Sequence, residues 1–466
     1  MNEKKVVVGI DFGTSGVCYA YGFFNKKDNI YNSNFSGQSI TKKVPTEIIL
    51  DTELKHVLAF GMECKKYISG FDKQKYEYFK HIKMNLYNKN YKIKSTNGKE
   101  VNIELIIAKI LEEVSKKAIE QIKSKNDSTI KKEDIKWVVT IPAIWEEKSK
   151  EIMINASRSA GLIDDNTDLS LFLALEPEVA GIYYNSPNIS FNAQNINEGK
   201  PYIICDIGGG TVDICTHRKT YISKDKEELI EEYPPIGGDY GGNVINEEFI
   251  KRLIVEIFGE ENINDIKNDE SCEDWDKFEN QIEELKKNFY EFGPTESKLD
   301  CRLFEYGSNK TLEEYINNYN KKNLKYKYEI KKSPNRRNNW ELLIPTKIFV
   351  DITKEISEKI FVHIEKIYNK VHTGFIIFTG AGSQNHGISN FFKSFGKEKN
   401  MDIDITSPEH PELSIVHGAV LFGFDNNVIR KRKARYTIGI MASKEWNEEL
   451  HKEKGKKKKY DLYDEN

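Results

Sequence analysis

The chain has no apolar run long enough to cross a membrane, and no CxxC pair among its six cysteines. It has little excess of charge: 70 basic against 73 acidic side chains leave a formal charge of −3. That balance supplies no global drive toward nucleic acid or a membrane surface. Cys18, Cys64, Cys205, Cys215, Cys272 and Cys301 are scattered, several of them beside apolar residues, which predicts reduced, buried thiols and an intracellular chain. No His/Cys cluster has metal-ligand spacing, and no GxxxxGK[ST] phosphate loop occurs. The start, MNEKKVVVGID, runs into a strand with neither an h-region nor a cleavage site, so a cytoplasmic location is expected, with the nucleus as the alternative. Only 38% of residues are hydrophobic and the mean hydropathy is −0.61. Lys, Asn, Glu and Tyr crowd the stretches between apolar strands. At 466 residues the chain is long enough for two or more cores.

What is present is a pattern that occurs twice. Tyr202 to Cys215, YIICDIGGGTVDIC, is an apolar strand, an Asp, three glycines, a Thr and a second apolar strand carrying another Asp. Gly208, Gly209 and Gly210 allow a tight turn without side chains between backbone and ligand. Successive N–H groups in such a turn form a concavity suited to phosphate. Asp206 stands at its entrance, where a carboxylate reaches a phosphate-bound metal, and Thr211 adds a hydroxyl donor. Lys5 to Tyr19, KVVVGIDFGTSGVCY, repeats the arrangement with Asp11, Gly13, Thr14, Ser15 and Gly16. An ordinary glycine hairpin explains one copy. Two copies suggest duplicated halves, whose turns face across a cleft and grip a polyphosphate from both sides. An acidic residue between an apolar strand and a glycine turn, twice, has few structural explanations.

Along the chain, Glu104 to Lys123 predicts an amphipathic helix, with Ile107, Ile110, Leu111, Val114, Ala118 and Ile122 on one face. Lys136 to Pro142 predicts a buried strand, and Glu146 to Ala160 a helix stopped by Gly161. Leu169 to Tyr184 reads as strand, loop and helix, with Pro177 in the helix's first turn. Asn185 to Lys200 is polar enough for a linker. Glu260 to Asp276 is acidic and reads as a loop, Trp275 to Phe292 as a helix, and Glu305 to Asn339 as largely irregular. Pro345 to Lys370 predicts a long helix, Phe375 to Ser383 a strand entering a glycine turn, and His410 to Phe424 a closely packed helix. The basic stretch after Arg430 predicts a disordered tail; its lysines read as solvated charge, or as a nuclear-targeting or acidic-surface signal.

These motifs, taken in order, resemble the heat shock protein 70 family of actin-fold ATPases. They are GIDFGTS (Gly9 to Ser15), VVTIPAIW (Val138 to Trp145), ALEPEVAGIYY (Ala174 to Tyr184), DIGGGTVD (Asp206 to Asp213), GGNVINEEF (Gly241 to Phe249), TGAGS (Thr379 to Ser383) and HGAVLFG (His417 to Gly423). PAIW, LEPE and GAVLFG point to the divergent eukaryotic twelve-type (12A/12B-like) subfamily. The resemblance implies an α/β actin-like ATPase (ribonuclease H-like) fold with two duplicated lobes around a nucleotide cleft. Residues 1–200 would form lobe I, with 46–103 peripheral, residues 201–430 lobe II, with 240–340 peripheral, and 431–466 the short basic tail. It implies ATP/ADP and Mg²⁺ as cofactors. Asp11 and Asp206 would hold the metal through water. Thr14 and Ser15, with Gly13, and Gly208 to Thr211 (Gly208, Gly209, Gly210) would hold the phosphates. Glu176 would sit near the metal waters and link the lobes, and Asp213 near the attacking water or a monovalent ion. The lysine that orients this water should lie in FKHIKMNLY, as Lys83 or, second, Lys80. Glu283, Lys286 and Lys287 would contact adenosine on one side, Gly380, Ala381 and Gly382 on the other, with Glu412 at its edge.

The sequence departs from the family in places. Ala381 stands where paired glycines are expected, and costs about 1 kcal/mol if its φ is positive. Lys287 replaces an arginine, and an ammonium does not stack on a base as a guanidinium does. The 36 residues beyond Arg430 predict no peptide-holding β-sandwich. As plain structure, Glu283, Lys286 and Lys287 would be a solvated helix face, Lys80 and Lys83 surface lysines, His410 and His417 packing or surface residues, and Trp137 and Trp145 core. The expected function is a slow Mg-ATPase, acting as a monomer, whose nucleotide state gates a protein partner. A nucleotide-binding scaffold without hydrolysis is the alternative. A small-molecule kinase on this fold lacks any acceptor motif here.

Overall fold

A computed structural model describes residues 4–434, apart from 36–42, 69–71, 164–170, 187–195, 197, 224–225, 269–271, 289–295, 305–309, 323–324, 333–339 and 409. Most of the 185–200 insertion and nearly all of the tail therefore lie outside the described residues.

The strand Val6–Phe12 is buried along its whole length, as its unbroken apolar run requires for a strand covered on both faces. It pairs antiparallel with Val17–Phe23, which pairs antiparallel with Lys26–Asn32. On its other edge it is parallel to Ile135–Ile141, which is parallel to Leu171–Leu175. The helices Ile103–Lys125 and Glu147–Ser159 make the crossovers that parallel pairing needs. The second sheet repeats this connectivity. Pro201–Ile207 pairs antiparallel with Val212–Ser223, and that strand with Lys226–Gly238. On its other side Pro201–Ile207 is parallel to Phe375–Thr379, which is parallel to Asp404–Thr406. The helices Lys347–Val371 and His386–Glu398 precede and follow Phe375–Thr379. The matching glycine-turn motifs are thus embedded in matching sheets.

Two helices lie between the sheets. Glu176–Tyr184 is almost wholly buried, and so is Ser414–Phe424. They touch backbone to backbone at Gly418: a Cβ there would stand 1.9 Å from the Val179 carbonyl oxygen. Ser414–Phe424 also lies directly on the first sheet, where a Cβ on Gly9 would meet Ala419 Cβ and Val416 O at 2.9 Å. Arg432 and Lys433 fasten the chain to the Glu176–Tyr184 helix and to the strand Lys226–Gly238. Arg432 grips buried Glu178 in bidentate fashion at 2.8 and 3.0 Å, and the Lys433 N–H donates to Glu231 at 2.5 Å.

Several boundaries differ from those read off the sequence. Leu171–Leu175 passes into the Glu176–Tyr184 helix with no loop between, which sets Glu176 at the junction. The acidic stretch expected as a loop contains the helix Glu260–Asn268, with Ile263 buried and Ile266 beside it in the core. Its acidic residues begin the helix, where the N-terminal dipole favours them. Inside the region read as irregular lie the helix Leu312–Lys322 and the strands Glu329–Lys332 and Trp340–Pro345. Leu312, Ile316 and Tyr319 are buried at helical spacing there, a face hidden in sequence by the surrounding Asn and Lys. Gly161 ends its helix at φ +70°, as expected. Trp137 and Trp145 are core residues. His417 packs edge-on against Tyr183 and its Nε2 lies 2.6 Å from Asn32 Oδ1. Cys18, Cys64, Cys205, Cys215 and Cys301 are buried free thiols. Burial pushes the Cys18 thiol up to about 12, which leaves it unreactive. Among the described residues no helix is long and apolar enough to cross a membrane.

Candidate functional site

Both glycine turns are closed by the same bond. The Gly13 N–H donates to Gly16 O at 3.1 Å, and the Gly208 N–H to Thr211 O at 2.9 Å. The turns meet. A Cβ on Gly209 would fall 2.1 Å from Ser15 Oγ, and one on Gly210 2.9 Å from Thr14 Oγ1. Only glycine allows this approach. The Gly242–Phe249 helix begins on the second turn: its Gly242 and Asn243 N–H groups donate to Gly208 O and Gly209 O at 2.9 and 2.7 Å.

Beside the turns lie four buried carboxylates, Asp11, Glu176, Asp206 and Asp213. Asp11 is the second-to-last residue of the first strand of hairpin one. Asp206 and Asp213 are directly opposite partners across hairpin two, so both side chains leave the same face. Like charges so placed destabilise a sheet, and burial makes it worse. Two lysines answer them. Lys83 Nζ is 2.5 Å from Glu176 Oε1, with both side chains buried, and 5.9 Å from the Trp145 ring centre. Lys43 Nζ is 2.5 Å from Asp11 Oδ2. Lys80 lies elsewhere, 6.0 Å from the Tyr78 ring centre. Lys83 sits in the helix Ile82–Tyr87, entered through His81 in the left-handed region at φ +56°. A non-glycine residue held there is uncommon and signals a constrained approach.

Four carboxyl groups stand against two ammonium groups, an excess of acid that bound protons or a cation must relieve. The excess is local. Asp213 accepts from the Ile144 N–H at 3.0 Å, yet its other oxygen and one oxygen of Asp206 are buried without a hydrogen-bond partner. Burial pushes the Asp206 carboxyl well above the ordinary range; Glu176, Asp213 and Asp11 add to this and Lys43 opposes it. Burial likewise lifts Glu176 to about 7, with Lys83 opposing and the Asp213 and Asp11 charges adding. Burial raises Asp213 against the Ile144 hydrogen bond, which favours its ion. Among the described residues no three His, Cys, Asp or Glu side chains form a ready-made metal nest. The unpartnered oxygens of Asp206 and Asp213 suit a hard divalent cation such as Mg²⁺, which keeps waters and is held by one or two carboxylates beside phosphates.

The residues expected at a nucleoside come to the other side of the second turn. Glu283 and Lys286 pair at 2.6 Å, Asn246 Nδ2 donates to Glu283 at 2.8 Å, and Lys286 Nζ donates to Gly242 O at 3.0 Å. They form a bonded group on the turn. Lys287 lies in the same helix, Cys272–Asn288, but its side chain is outside the described residues. The Gly380–Gly382 segment closes on hairpin two: a Cβ on Gly380 would meet Asp206 Oδ1 at 2.3 Å, and one on Gly382 would meet Ile207 O at 2.8 Å. Gly380 has φ +78°, whereas Ala381 is not among the positive-φ residues, so its methyl carries no backbone cost. Glu412 accepts from Gln384 Nε2 at 3.3 Å. Lys43 was not legible in sequence. It precedes a short Val-Pro-Thr stretch in a chain rich in lysine, and no local pattern marks it.

Paired acidic glycine turns on two mixed sheets of one connectivity define the class: an α/β protein with the actin-like ATPase fold. The particular relatives agree. The chain is 26% identical to heat shock 70 kDa protein 12A of Homo sapiens over 506 aligned residues, covering 93% of this chain and 72% of that protein. It is 26% identical to heat shock 70 kDa protein 12B of Homo sapiens over 317, covering 55% and 46%. A shorter match, 26% over 151 residues, 32% of this chain and 22% of the other, is to a chaperone protein HscA homolog of Acinetobacter baumannii. No protein-family model matches the chain. The resemblance read from the motifs is borne out: over nearly its whole length the chain is similar to the 12A/12B subfamily of heat shock 70 proteins.

Proposed function

We propose that the protein is a Mg-ATP-binding, heat-shock-protein-70-like ATPase module that hydrolyses ATP slowly to ADP and phosphate and gates a protein partner by its nucleotide state. The observation that carries this reading is the meeting of two glycine turns beside buried carboxyl groups, two of whose oxygens have no hydrogen-bond partner. Hydrolysis of a phosphoanhydride needs positioning and charge neutralisation rather than a covalent nucleophile. The N–H groups and hydroxyls of Gly13, Thr14 and Ser15, and of Gly208 to Thr211, bind the phosphates. Asp206 and Asp11 would hold Mg²⁺ through water, and the ion would supply neutralisation of phosphate charge. Lys83, fixed by Glu176, orients the attacking water; Asp213 accepts a hydrogen bond from it. Glu176, with its carboxyl near 7, takes up a proton at neutral pH. Glu283, Lys286, Gly380, Ala381, Gly382 and Glu412 border the nucleoside, with Lys287 from the same helix as Lys286. Residues 1–200 and 201–430 act as lobes, and their closure on the γ-phosphate makes the nucleotide a switch.

The test is isothermal titration with ATP and ADP, with and without Mg²⁺, followed by steady-state phosphate release for the wild type and Asp206→Asn. Binding of neither nucleotide defeats the reading. A second reading, a nucleotide-holding scaffold, is favoured by the Lys43–Asp11 ion pair, which occupies an oxygen the metal would use. Equal background release by both proteins, with nucleotide binding retained, selects it.

A further inference from the structure

Lys43 takes no part in the hydrolytic chemistry above, yet it is fixed in place. The next residue, Val44, exchanges both backbone hydrogen bonds with Val17, at 2.7 and 3.0 Å, which ties this segment to the second strand of hairpin one. A Cβ on Gly16 would touch Lys43 Cβ at 3.3 Å, so the lysine's stem lies on the first turn. From there the ammonium reaches Asp11 Oδ2 at 2.5 Å; the other Asp11 oxygen faces Thr140 Oγ1 at 3.4 Å. Asp11 is 2% exposed and the Lys43 side chain 26%. The carboxylate is therefore sealed while its cation stands at the mouth.

The two lysines divide the cluster. Lys83 closes Glu176 and Lys43 closes Asp11. Asp206 and Asp213, opposite each other on hairpin two, keep the oxygens without partners. An ammonium in contact with Asp11 bars a divalent cation from that oxygen, and repels a cation placed anywhere in the cluster. We propose that Lys43 is a resident counter-cation that reserves Asp11 and holds down the divalent-cation affinity of this site. Where the nucleotide reading stands, on which the role of this device in the switch rests, the metal then enters with the phosphates and does not wait for them.

The experiment uses Mn²⁺ alone as the probe, titrated into nucleotide-free full-length protein and followed by electron paramagnetic resonance and calorimetry. Lys43→Met is expected to bind Mn²⁺ at least tenfold more tightly than the wild type, and Lys43→Gln to follow it, which guards against a misfolded single variant. Lys43→Arg, which keeps the charge, should stay within about threefold of the wild type. Asp11→Asn, which leaves the Lys43 ammonium without its partner, should bind Mn²⁺ more weakly than the wild type, and should also weaken binding in the Lys43→Met background. Equal Mn²⁺ affinity in the wild type, Lys43→Met and Lys43→Gln, or binding by none of them, overturns the proposal. Because no nucleotide is present, failure to bind ATP would count against the nucleotide reading alone.

Discussion

Lys83 and Glu176 meet at 2.5 Å with both side chains almost fully buried, although 93 positions separate them in the chain. Removing Lys83 leaves a buried carboxyl that must take up a proton or stay unpaired, which costs up to about 3–5 kcal/mol. Lys83→Met should therefore lower the urea midpoint sharply and abolish phosphate release. The double variant Lys83→Met/Glu176→Leu should recover most of the stability and none of the release. A double variant as unstable as Lys83→Met would mean that the pair is not what the substitution breaks.

The raised carboxyls make stability depend on pH in a stated direction. Glu176 titrates near 7 in the fold against 4.5 when unfolded, and Asp206 is raised too. The folded state holds these protons more tightly, so their stabilising contribution is complete below the unfolded values. It is lost as pH rises from 4.5 through about 7. Melting curves of wild type and Asp206→Asn, without metal or nucleotide, should coincide near pH 4. By pH 7.5 the variant should be the more stable by about 1 kcal/mol or more. Millimolar Mg²⁺ should narrow that gap at pH 7.5 by stabilising the wild type. A gap that shrinks with rising pH in metal-free buffer would refute the assignment.

The helix contact at Gly418 is a stability position. An alanine there would press its methyl to 1.9 Å from Val179 O, an immobile backbone atom. Gly418→Ala should cost about 3 kcal/mol in chemical denaturation, the upper part of the range for overpacking. Ala381→Gly is the contrasting case. With no positive φ to relieve, it should be neutral or lose up to about 1 kcal/mol, and should leave nucleotide affinity unchanged.

Turn-to-turn contact can be tested without touching a charge. Gly209→Ala would drive a methyl into Ser15 Oγ, 2.1 Å away. ATP affinity by calorimetry should fall at least tenfold, and the added Ser15→Ala change should restore part of it. No recovery would show that the Ser15 hydroxyl is not what the methyl displaces, since Ser15 Cβ, 3.2 Å away, stays in place.

Much of this was legible in the residues themselves. Strands such as Val6–Phe12 and Pro201–Ile207 announce themselves because a strand buried on both faces must be apolar throughout. An Asp near the end of such a strand, before glycines, stands out for the same reason. The helix Leu312–Lys322 was illegible because three buried residues are diluted by Asn, Lys and Tyr, and periodicity needs contrast. Lys43 was illegible for a different reason: its partner is 32 positions away, and one lysine among many carries no local mark.

The sequence by itself determined the local units: two acidic glycine turns, the strands around them, and the similarity to heat shock 70 proteins that their order carries. Each depends on neighbours in the chain, through backbone freedom and burial period. Only the tertiary structure decided which charges meet. It set Lys83 against Glu176, gave Asp11 to Lys43, and left Asp206 and Asp213 facing each other with unpartnered oxygens. Those choices depend on distances across the fold and on exclusion of water, and the strength of a charge–charge contact is fixed by both.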